Sequence, residues 1–329
     1  MSWTEDHILG GRTTVRDVLF DAEHRLTAVG VPSPSSDAAQ IVAHALGTTR
    51  GRMFLQDAIS DEQKVRVEQL LARRLSRVPL QHIVGSAPFR RIEVEVGPGV
   101  FIPRPETELV TEAAIRALSA LPADRRIGVD LCSGSGAVAI SLAVEVPGST
   151  VTAVELDDSA VEWTRRNVAA HQQRLAEAGS TVEVVHADAA TVADRGEPLA
   201  RLTGRAGVVV SNPPYIPNQM IPREPEVRDH EPKLALYGGV DGLDVVRAVL
   251  RTAAILLAPG GLLVVEHADV QGPAAGSAGV PGVTSAAVAD AILADRLAVP
   301  IGTALYTDVV DRIDLNALPR FTLARRAAP

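Results

Sequence analysis

The sequence contains only one cysteine, Cys132, among its 329 residues. A single cysteine excludes an internal disulfide bond and a zinc site built from cysteine ligands. The eight histidines do not show the H-x-x-x-H spacing by which one helix face binds a metal ion. We therefore expect neither a disulfide framework nor a metal site in this protein.

A surplus of positive charge is also lacking. Lysine occurs only at positions 64 and 233, the net charge is −8, and the isoelectric point is about 5.5. Proteins that hold nucleic acid by neutralising many phosphates are normally basic. These totals would not reveal a local basic patch, but they predict no direct nucleic-acid binding.

Long apolar segments are missing as well. The first residues, MSWTED, lack the basic start and the apolar run of a signal peptide. The most apolar stretch, residues 253–265, is interrupted by Pro259, Gly260 and Gly261 and is too short to span a bilayer. We expect a cytoplasmic protein without a membrane segment.

The first eighty residues have the apolar spacing of helices. Ser36 can cap a helix, and Ser60 with Gln63 fits the capping box that begins another. Ten basic and ten acidic residues balance in this region, so it has no electrostatic signature. We predict a small helical bundle at 1–80, which could be a structural cap or a partner-binding module.

The patterning changes after residue 80. Ile92, Val94 and Val96 alternate with glutamates, which predicts a half-buried strand in a hairpin linker at 81–104. Within 105–329 the predicted strands are 127–132, 150–155, 182–186, 208–211 and 262–266, and the predicted helices are 137–146, 159–178 and 243–257. This alternation predicts an α/β domain with a mostly parallel sheet covered on both faces.

Two segments of this domain are predicted to be loops. Residues 272–282 are rich in glycine, alanine and proline. Residues 212–239 contain six prolines, and a loop of that length inside a compact domain is usually functional or disordered. We interpret the longer segment as a lid that faces the substrate.

The segment DLCSGSG at 130–136 lies between a predicted strand and a predicted helix. Glycines there let the backbone approach a ligand at the helix N-terminus. Glu155 ends the next strand, where a carboxylate can accept hydrogen bonds from ribose hydroxyls. Together these features predict an adenosine-containing cofactor. Cys132 carries a Cβ atom, so a positive φ at this position would be strained.

Asp188 follows the third predicted strand. Its carboxylate can accept a hydrogen bond from the amino group of adenine, and the backbone of Ala189 can meet a ring nitrogen. A helix N-cap is an equally good interpretation of Asp188, and both roles can hold at once.

The segment NPPY at 212–215 ends another predicted strand. Two prolines fix the backbone there and cannot donate to a sheet, which leaves carbonyl oxygens free at its edge. The side-chain oxygen of Asn212 and the backbone carbonyl of Pro213 can accept both N–H groups of a planar amino or amide group. Tyr215 can stack on that group. A coincidental turn is the weaker interpretation, because the glycine loop and Glu155 precede the motif in the expected order.

The same motifs resemble those of the HemK/PrmC family of release-factor glutamine methyltransferases. The matching strings are PLQHIVG at 79–85, FIPRPETE at 101–108, NPPYI at 212–216, ALYGGVDG at 235–242 and LAPGGLL at 257–263. The glycine loop is similar to the D-x-G-x-G-x-G loop of S-adenosylmethionine-dependent methyltransferases, with Cys132 at the first glycine position. The resemblance extends through nearly the whole chain.

This resemblance implies a Rossmann-like methyltransferase domain, with the helical bundle docking class 1 peptide chain release factors. It implies methyl transfer from S-adenosylmethionine, with S-adenosylhomocysteine as product, to the glutamine side chain of a Gly-Gly-Gln motif. The implied cofactor residues are Cys132, Ser133, Gly134, Ser135, Gly136, Glu155, Asp188, Ala189 and Asn212. The implied substrate residues are Asn212, Pro213, Pro214 and Tyr215, of which Asn212, Pro213 and Tyr215 are catalytic. Residues 101–108 are implied to cover the cofactor, and Arg104 is either a cofactor ligand or a paired surface charge.

Two other functions are alternatives. An adenine amino-methyltransferase would use the same motif, but it needs a basic surface for nucleic acid. A non-catalytic binding module would have no physical need to combine Asn212, Glu155, Gly134 and Gly136. Labelling of a release factor rather than of duplex DNA would separate these possibilities.

Overall fold

The computed structural model describes residues 13–271 and 305–328 of the chain. The chain divides into two compact units. One contains the described part of Met1–Ser86 together with Pro222–His230, and the other contains the described parts of Ala87–Ile221 and Glu231–Pro329. None of the described helices has the length and apolar character that a membrane crossing needs.

The first unit is built from helices, as the apolar spacing predicts. Those before residue 86 are α1 (Val15–Ala28), α2 (Pro34–Ala45), α3 (Asp61–Leu75) and α4 (Leu80–Val84), and the helix at Pro225–His230 also belongs to this unit. The capping box of Ser60 and Gln63 is confirmed at the start of α3. The predicted cap at Ser36 is wrong: α2 begins at Pro34, because proline needs no N–H partner in the first turn.

In the rest of the chain, the helices are α5 (Pro105–Ser119), α6 (Ala137–Glu145), α7 (Asp158–Ala170), α8 (Gln172–Ala178), α9 (Pro225–His230), α10 (Lys233–Leu236) and α11 (Asp244–Leu256). The strands are β1 (Ser86–Phe89), β2 (Ile92–Glu95), β3 (Ile127–Leu131), β4 (Thr150–Glu155), β5 (Thr181–His186), β6 (Ala206–Ser211), β7 (Leu257–Glu266), β8 (Tyr306–Ile313) and β9 (Pro319–Arg326). Short 3-10 turns lie at Met53–Leu55, Ala123–Arg125, Ala200–Leu202 and Asp269–Gln271.

Seven strands form one sheet in the order β5-β4-β3-β6-β7-β9-β8, and β1 pairs with β2 separately. The pairs from β5 to β7 are parallel, whereas β9 runs antiparallel to both β7 and β8. Successive strands move outward from β3 to β5, and the chain then returns to place β6 on the other side of β3. The carboxyl ends of β3 and β6 therefore flank a point where the strand order reverses, and open α/β sheets bind ligands at such points.

Helices cover both faces of this sheet. Val208 and Val210 of β6 pack on one face with α5 and α6, while Val209 packs on the other face with α11. Because successive strand residues point to opposite faces, a strand that is buried on both sides is apolar throughout. This explains the unbroken apolar run of β6 and confirms the predicted α/β fold class.

Most predicted element positions are confirmed, with the following exceptions. The predicted helix at 159–178 is two helices, α7 and α8, that meet at His171. The predicted hairpin linker begins with the helical turn α4. Helix α5 and strands β8 and β9 were not predicted. The predicted loop at 272–282 lies outside the described residues.

Residues 212–239 are more ordered than the prediction of a structureless loop. They contain α9 and α10, and Ile216 forms a parallel bridge with Tyr237. The α9 segment belongs to the helical unit, where Glu226 accepts hydrogen bonds from Arg74 at 2.7 Å and Arg77 at 2.9 Å. Arg74 is buried and also pairs with Asp37, so this part of the predicted loop is held by charge-assisted hydrogen bonds.

Candidate active site

The predicted site residues follow four neighbouring parallel strands. The glycine loop follows β3, Glu155 ends β4, Asp188 follows β5 and Asn212 follows β6. Since parallel strands end at the same edge of a sheet, these side chains lie along one edge on either side of the reversal in strand order. The fold thus brings together the residues that sequence reasoning grouped from separate motifs.

The glycine loop turns through backbone conformations that favour glycine. Gly134 and Gly136 have φ values of 56° and 79°. A Cβ on Gly136 would lie 2.9 Å from Cγ2 of Thr164, whereas one on Gly134 would meet nothing within 4 Å. Gly136 is therefore required by packing against α7, while the space beside Gly134 is open to a ligand.

Side chains of α7 hold the loop from behind. The Thr164 hydroxyl donates to the carbonyl of Gly134 at 2.6 Å, and Asn167 Nδ2 donates to the carbonyl of Ser135 at 2.9 Å. Both side chains are fully buried. The predicted cofactor set did not include them, although their contacts fix the shape of the loop.

Glu155 is the acceptor of three backbone N–H groups. Oε2 accepts from Gly134 at 2.8 Å, and Oε1 accepts from Leu156 at 2.8 Å and Asp157 at 3.0 Å. The carboxylate is half-buried, and Oε2, which accepts from one donor, keeps a second lone pair for a further donor. Glu155 therefore ties the glycine loop to β4 while its charge still faces the sheet edge.

Cys132 has a φ of 63°, which is the left-handed conformation that a Cβ disfavours. The strain that the sequence analysis considered for this position is present. Burial raises the pKa of the Cys132 thiol, with smaller contributions from nearby acidic groups. The thiol therefore stays protonated, which agrees with the interpretation of Cys132 as a packing residue rather than a nucleophile.

The other residues of the cofactor set are partly engaged within the protein. Ser133 is buried, and its hydroxyl has no hydrogen-bond partner among the described residues. Asp188 is exposed and accepts from the backbone N–H of Ala190 at 2.8 Å, but a turn rather than a helix follows it, so the predicted helix N-cap is wrong. The open space at Gly134, the unpaired hydroxyl of Ser133 and the carboxylate of Glu155 fit a polar ligand that contains a ribose. The assignment of Asp188 and Ala189 to adenine stays a prediction.

Other parts of the chain pack against the NPPY segment so closely that only glycine fits. A Cβ on Gly238 would lie 2.4 Å from the carbonyl oxygen of Pro214, and one on Gly242 would lie 2.2 Å from that of Tyr215. Gln271 is fully buried and donates from Nε2 to the carbonyl of Tyr215 at 3.1 Å. Gly238 and Gly242 therefore let the segment 235–242 pack closely behind residues 212–215, which we call the NPPY corner.

Two further side chains orient the polar groups of the motif. Asn212 donates from Nδ2 to Oγ1 of Thr107 at 3.1 Å, and the Tyr215 hydroxyl donates to Oε1 of Glu266 at 3.2 Å. Burial raises the pKa of Glu266 to about 7, and the same cause together with the Glu266 charge raises the pKa of Tyr215. Glu266 was not predicted as a site residue, and its signal in the sequence is only its position at a strand end.

Arg104 forms an ion pair with Glu231, whose side chain is almost completely buried. Its guanidinium also lies 5.0 Å from the centre of the Phe101 ring. Burial raises the pKa of Glu231 to about 7, although the charge of Arg104 opposes that rise. Of the two roles that were open for Arg104, the structure supports that of a paired charge, with a buried rather than a surface partner.

The sequence matches two known domain families. Residues 17–85 match the PrmC N-terminal domain, and residues 92–222 match the methyltransferase small domain. The release factor glutamine methyltransferase of Streptomyces coelicolor is 44% identical over 310 residues, which cover 94% of this chain and 96% of that protein. A 4-amino-L-phenylalanine/4-methylamino-L-phenylalanine methyltransferase of Streptomyces pristinaespiralis is 37% identical over 78% of this chain and 84% of that protein. The crystal structure of a release factor-specific protein-(glutamine-N5) methyltransferase from Alicyclobacillus acidocaldarius shares 26% identity and a TM-score of 0.37, and it covers 71% of this chain and 99% of that chain.

The sheet, the glycine loop and the matched domain define an S-adenosylmethionine-dependent methyltransferase. At 44% identity over nearly the full length of both proteins, the chain belongs to the release factor glutamine methyltransferase family.

Proposed function

We propose that this protein transfers a methyl group from S-adenosylmethionine to the side-chain amide nitrogen of the glutamine in the Gly-Gly-Gln motif of class 1 release factors. The observation that carries the proposal is the position of the NPPY corner. Asn212 and the glycine loop follow adjacent strands, β6 and β3, at the reversal in strand order. A methyl donor and a planar amide can therefore meet at one sheet edge.

The chain's own groups supply binding and orientation. Glycines 134 and 136, Ser133 and the Glu155 carboxylate would hold the cofactor, and the space beside Gly134 leaves room for it. When bound, S-adenosylmethionine provides an electrophilic methyl group on its sulfonium and is released as S-adenosylhomocysteine. The predicted contacts of Asp188 and Ala189 would then select its adenine ring.

The acceptor nitrogen needs help because its lone pair is delocalised into the amide carbonyl. In our proposal Oδ1 of Asn212 and the carbonyl of Pro213 accept its two N–H groups, and Tyr215 lies against the flat amide. These acceptors stabilise the positive charge that develops on the nitrogen, and alignment of the reactants contributes on the order of 7–11 kcal/mol. The proton that the nitrogen then loses passes to solvent.

A protein substrate needs contacts beyond one side chain, and the helical unit offers an apolar surface for them. A groove of about 530 Å³ is lined by the apolar side chains of Leu19, Met53 and Phe54 and also by Glu23 and Arg50. Phe20, Phe54 and Leu55 are 76%, 53% and 78% exposed, although large apolar side chains are normally buried. We propose that this surface docks the release factor, and we place the enzyme in the cytoplasm with that substrate.

The test is incubation of the purified protein with labelled S-adenosylmethionine and a class 1 release factor. We expect one added methyl on the Gly-Gly-Gln peptide by mass spectrometry and none on a release factor that has alanine in place of that glutamine. Duplex DNA and 4-amino-L-phenylalanine serve as competing acceptors, because an adenine amine and an aromatic amine are planar nitrogens too. Preferential labelling of either competitor, or no label on the release factor, would overturn the proposal.

A further inference from the structure

The side chain of Asn212 has two chemically different ends. Oδ1 only accepts hydrogen bonds, and Nδ2 only donates them. If Oδ1 faces the substrate, it can receive an N–H group of a carboxamide. If the amide is reversed, two donors meet and the same substrate is repelled. The protein must therefore fix which end of Asn212 faces the acceptor site.

Thr107 on α5 holds the donor end. Asn212 Nδ2 donates to Thr107 Oγ1 at 3.1 Å, which leaves Oδ1 without a donor among the residues that the structure describes. Thr107 is 3% exposed, so water does not compete for this contact. Since its oxygen accepts from Asn212, the single hydrogen of the Thr107 hydroxyl must point to a different acceptor.

The Glu266 carboxylate at the end of β7 is the buried acidic group next to this part of the site. Its Oε1 accepts from the Tyr215 hydroxyl at 3.2 Å. Its Oε2 is buried and has no hydrogen-bond partner among the described residues. The Thr107 hydroxyl favours the charged form of Glu266, against the larger effect of burial on its pKa. Glu266 is 1% exposed, so Oε2 is the acceptor available to the Thr107 hydrogen.

We propose that Thr107 and Glu266 are positioning residues that lock the Asn212 amide with Oδ1 toward the substrate and thereby select a carboxamide over a carboxylate. The inference rests on the proposed function and specifies how its acceptor site discriminates. Without the Thr107 hydroxyl, the Asn212 amide can turn and offer Nδ2 to a carboxylate. A glutamate at the substrate position would then be bound rather than rejected.

Thr107 also takes part in ordinary helix contacts, and these provide a matched control. Its carbonyl accepts from the hydroxyl of Thr111 at 2.8 Å, one turn further along α5. Thr111 is completely buried, and among the described residues its hydroxyl bonds to the Thr107 carbonyl rather than to Asn212, Tyr215 or Glu266. Thr111→Val therefore removes a buried hydroxyl from the same helix but leaves the Thr107 hydroxyl and its contact with Asn212 in place.

The experiment uses the full chain and two release factors, one with Gly-Gly-Gln and one with Gly-Gly-Glu as a competitive inhibitor. For Thr107→Val we expect kcat to fall about 10- to 100-fold, because an orienting hydrogen bond to the recognition amide is lost. The affinity of the Glu competitor relative to the Gln substrate should rise at least about tenfold. Affinity for S-adenosylmethionine should stay within about twofold, since Thr107 holds the acceptor side. Thr107→Ser should restore most of the wild-type kcat and most of the preference for Gln over Glu. Thr111→Val should change neither quantity.

Three results would overturn the inference. They are wild-type kcat in Thr107→Val, an unchanged Gln-to-Glu preference despite a lower kcat, or the same change in Thr111→Val. Thr107→Ala provides the same comparison if the valine variant does not fold. Failure of the proposed function is distinguishable, because wild-type protein would then methylate no Gly-Gly-Gln release factor at all.

Discussion

The backbone N–H of Gly134 donates to Oε2 of Glu155 at 2.8 Å, which joins the glycine loop after β3 to the end of β4. The same carboxylate that is predicted to bind ribose hydroxyls therefore also shapes the loop that is predicted to approach the cofactor. Loss of its charge should affect both functions together.

We expect Glu155→Gln to weaken S-adenosylmethionine binding about 10- to 100-fold. Hydrogen bonds to a charged group contribute about 1.5–3 kcal/mol, and an amide replaces one of the two acceptor oxygens with a donor. Isothermal titration calorimetry measures the effect. Glu162→Gln, on the exposed face of α7, is the matched control and should leave affinity unchanged. Equal affinities for the two variants would contradict a cofactor role for Glu155.

Asn212→Ala should separate binding from turnover. The amide mainly aligns the acceptor, so we expect cofactor affinity to stay within a few fold while kcat falls about 100- to 1,000-fold, as on removal of one oxyanion-hole donor. Asn218→Ala, at an exposed position in the same segment, should keep wild-type kcat. Calorimetry that shows binding lost in proportion to rate would argue against this role of Asn212.

The strained backbone of Cys132 predicts that glycine is more stabilising than alanine at this position, which reverses their usual order. Glycine in place of alanine normally costs about 0.5–1 kcal/mol because the unfolded chain gains freedom. At a φ of 63° the Cβ itself costs about 1–2 kcal/mol. We therefore expect Cys132→Gly to be more stable than Cys132→Ala by up to about 1 kcal/mol in denaturant unfolding. The same alanine-to-glycine change at Ala117, inside α5, should destabilise the protein. If glycine is the less stable residue at both positions, the strain at Cys132 is not significant.

Leu55→Asp should weaken release-factor recognition without affecting chemistry. Leu55 is 78% exposed and follows Phe54, which lines the groove of the helical unit, and a charge there would have to be desolvated on docking. We expect the KM for the release factor to rise about tenfold, with unchanged affinity for S-adenosylmethionine. Leu315→Asp is the control, since Leu315 is 90% exposed in the turn between β8 and β9. A matching rise in KM for both variants would mean that the effect is not specific to the groove.

Local sequence patterns were sufficient to predict the site residues that lie at the ends of strands. The strand Thr150–Glu155 has its predicted bounds, and Glu155 lies beside the glycine loop as expected. The paired β8 and β9 were missed because charges interrupt their alternation and because Asp308 and Ala317 have positive φ. An irregular antiparallel edge carries a weak periodic signal.

The supporting contacts of the site could not be read from the sequence. Thr107 and Asn212 are separated by 105 positions, and Tyr215 and Glu266 by 51. A threonine near the start of a helix and a glutamate at a strand end are ordinary in sequence, and only the packing of α5 over β6 and β7 makes them neighbours. Such pairs depend on tertiary structure rather than on local propensity.

Glu266 should give stability and activity opposite pH dependences. Its environment consists of Thr107 and Glu106 from α5, Tyr215, and Arg320 from β9, and burial outweighs the Arg320 charge to raise its pKa from 4.5 to about 7. The folded state therefore binds a proton more tightly than the unfolded state does. Stability from this group is present below pH 4.5 and is lost as pH rises to about 7, by up to about 3 kcal/mol.

Activity should instead rise through the same range, because only the carboxylate accepts from Tyr215 through Oε1 and keeps Oε2 available to the Thr107 hydroxyl. We expect kcat to increase with an apparent pKa near 7. Glu266→Gln should remove the contribution of this group from both profiles. The pKa of Glu231 is also raised to about 7, and this group titrates in both the wild type and the Glu266→Gln variant. The difference between the pH profiles of the two proteins therefore isolates the contribution of Glu266. Unfolding and single-turnover measurements from pH 5 to 8 test this. A wild-type kcat that falls with rising pH, or a variant whose profiles match the wild type, would show that Glu266 does not act through its charge.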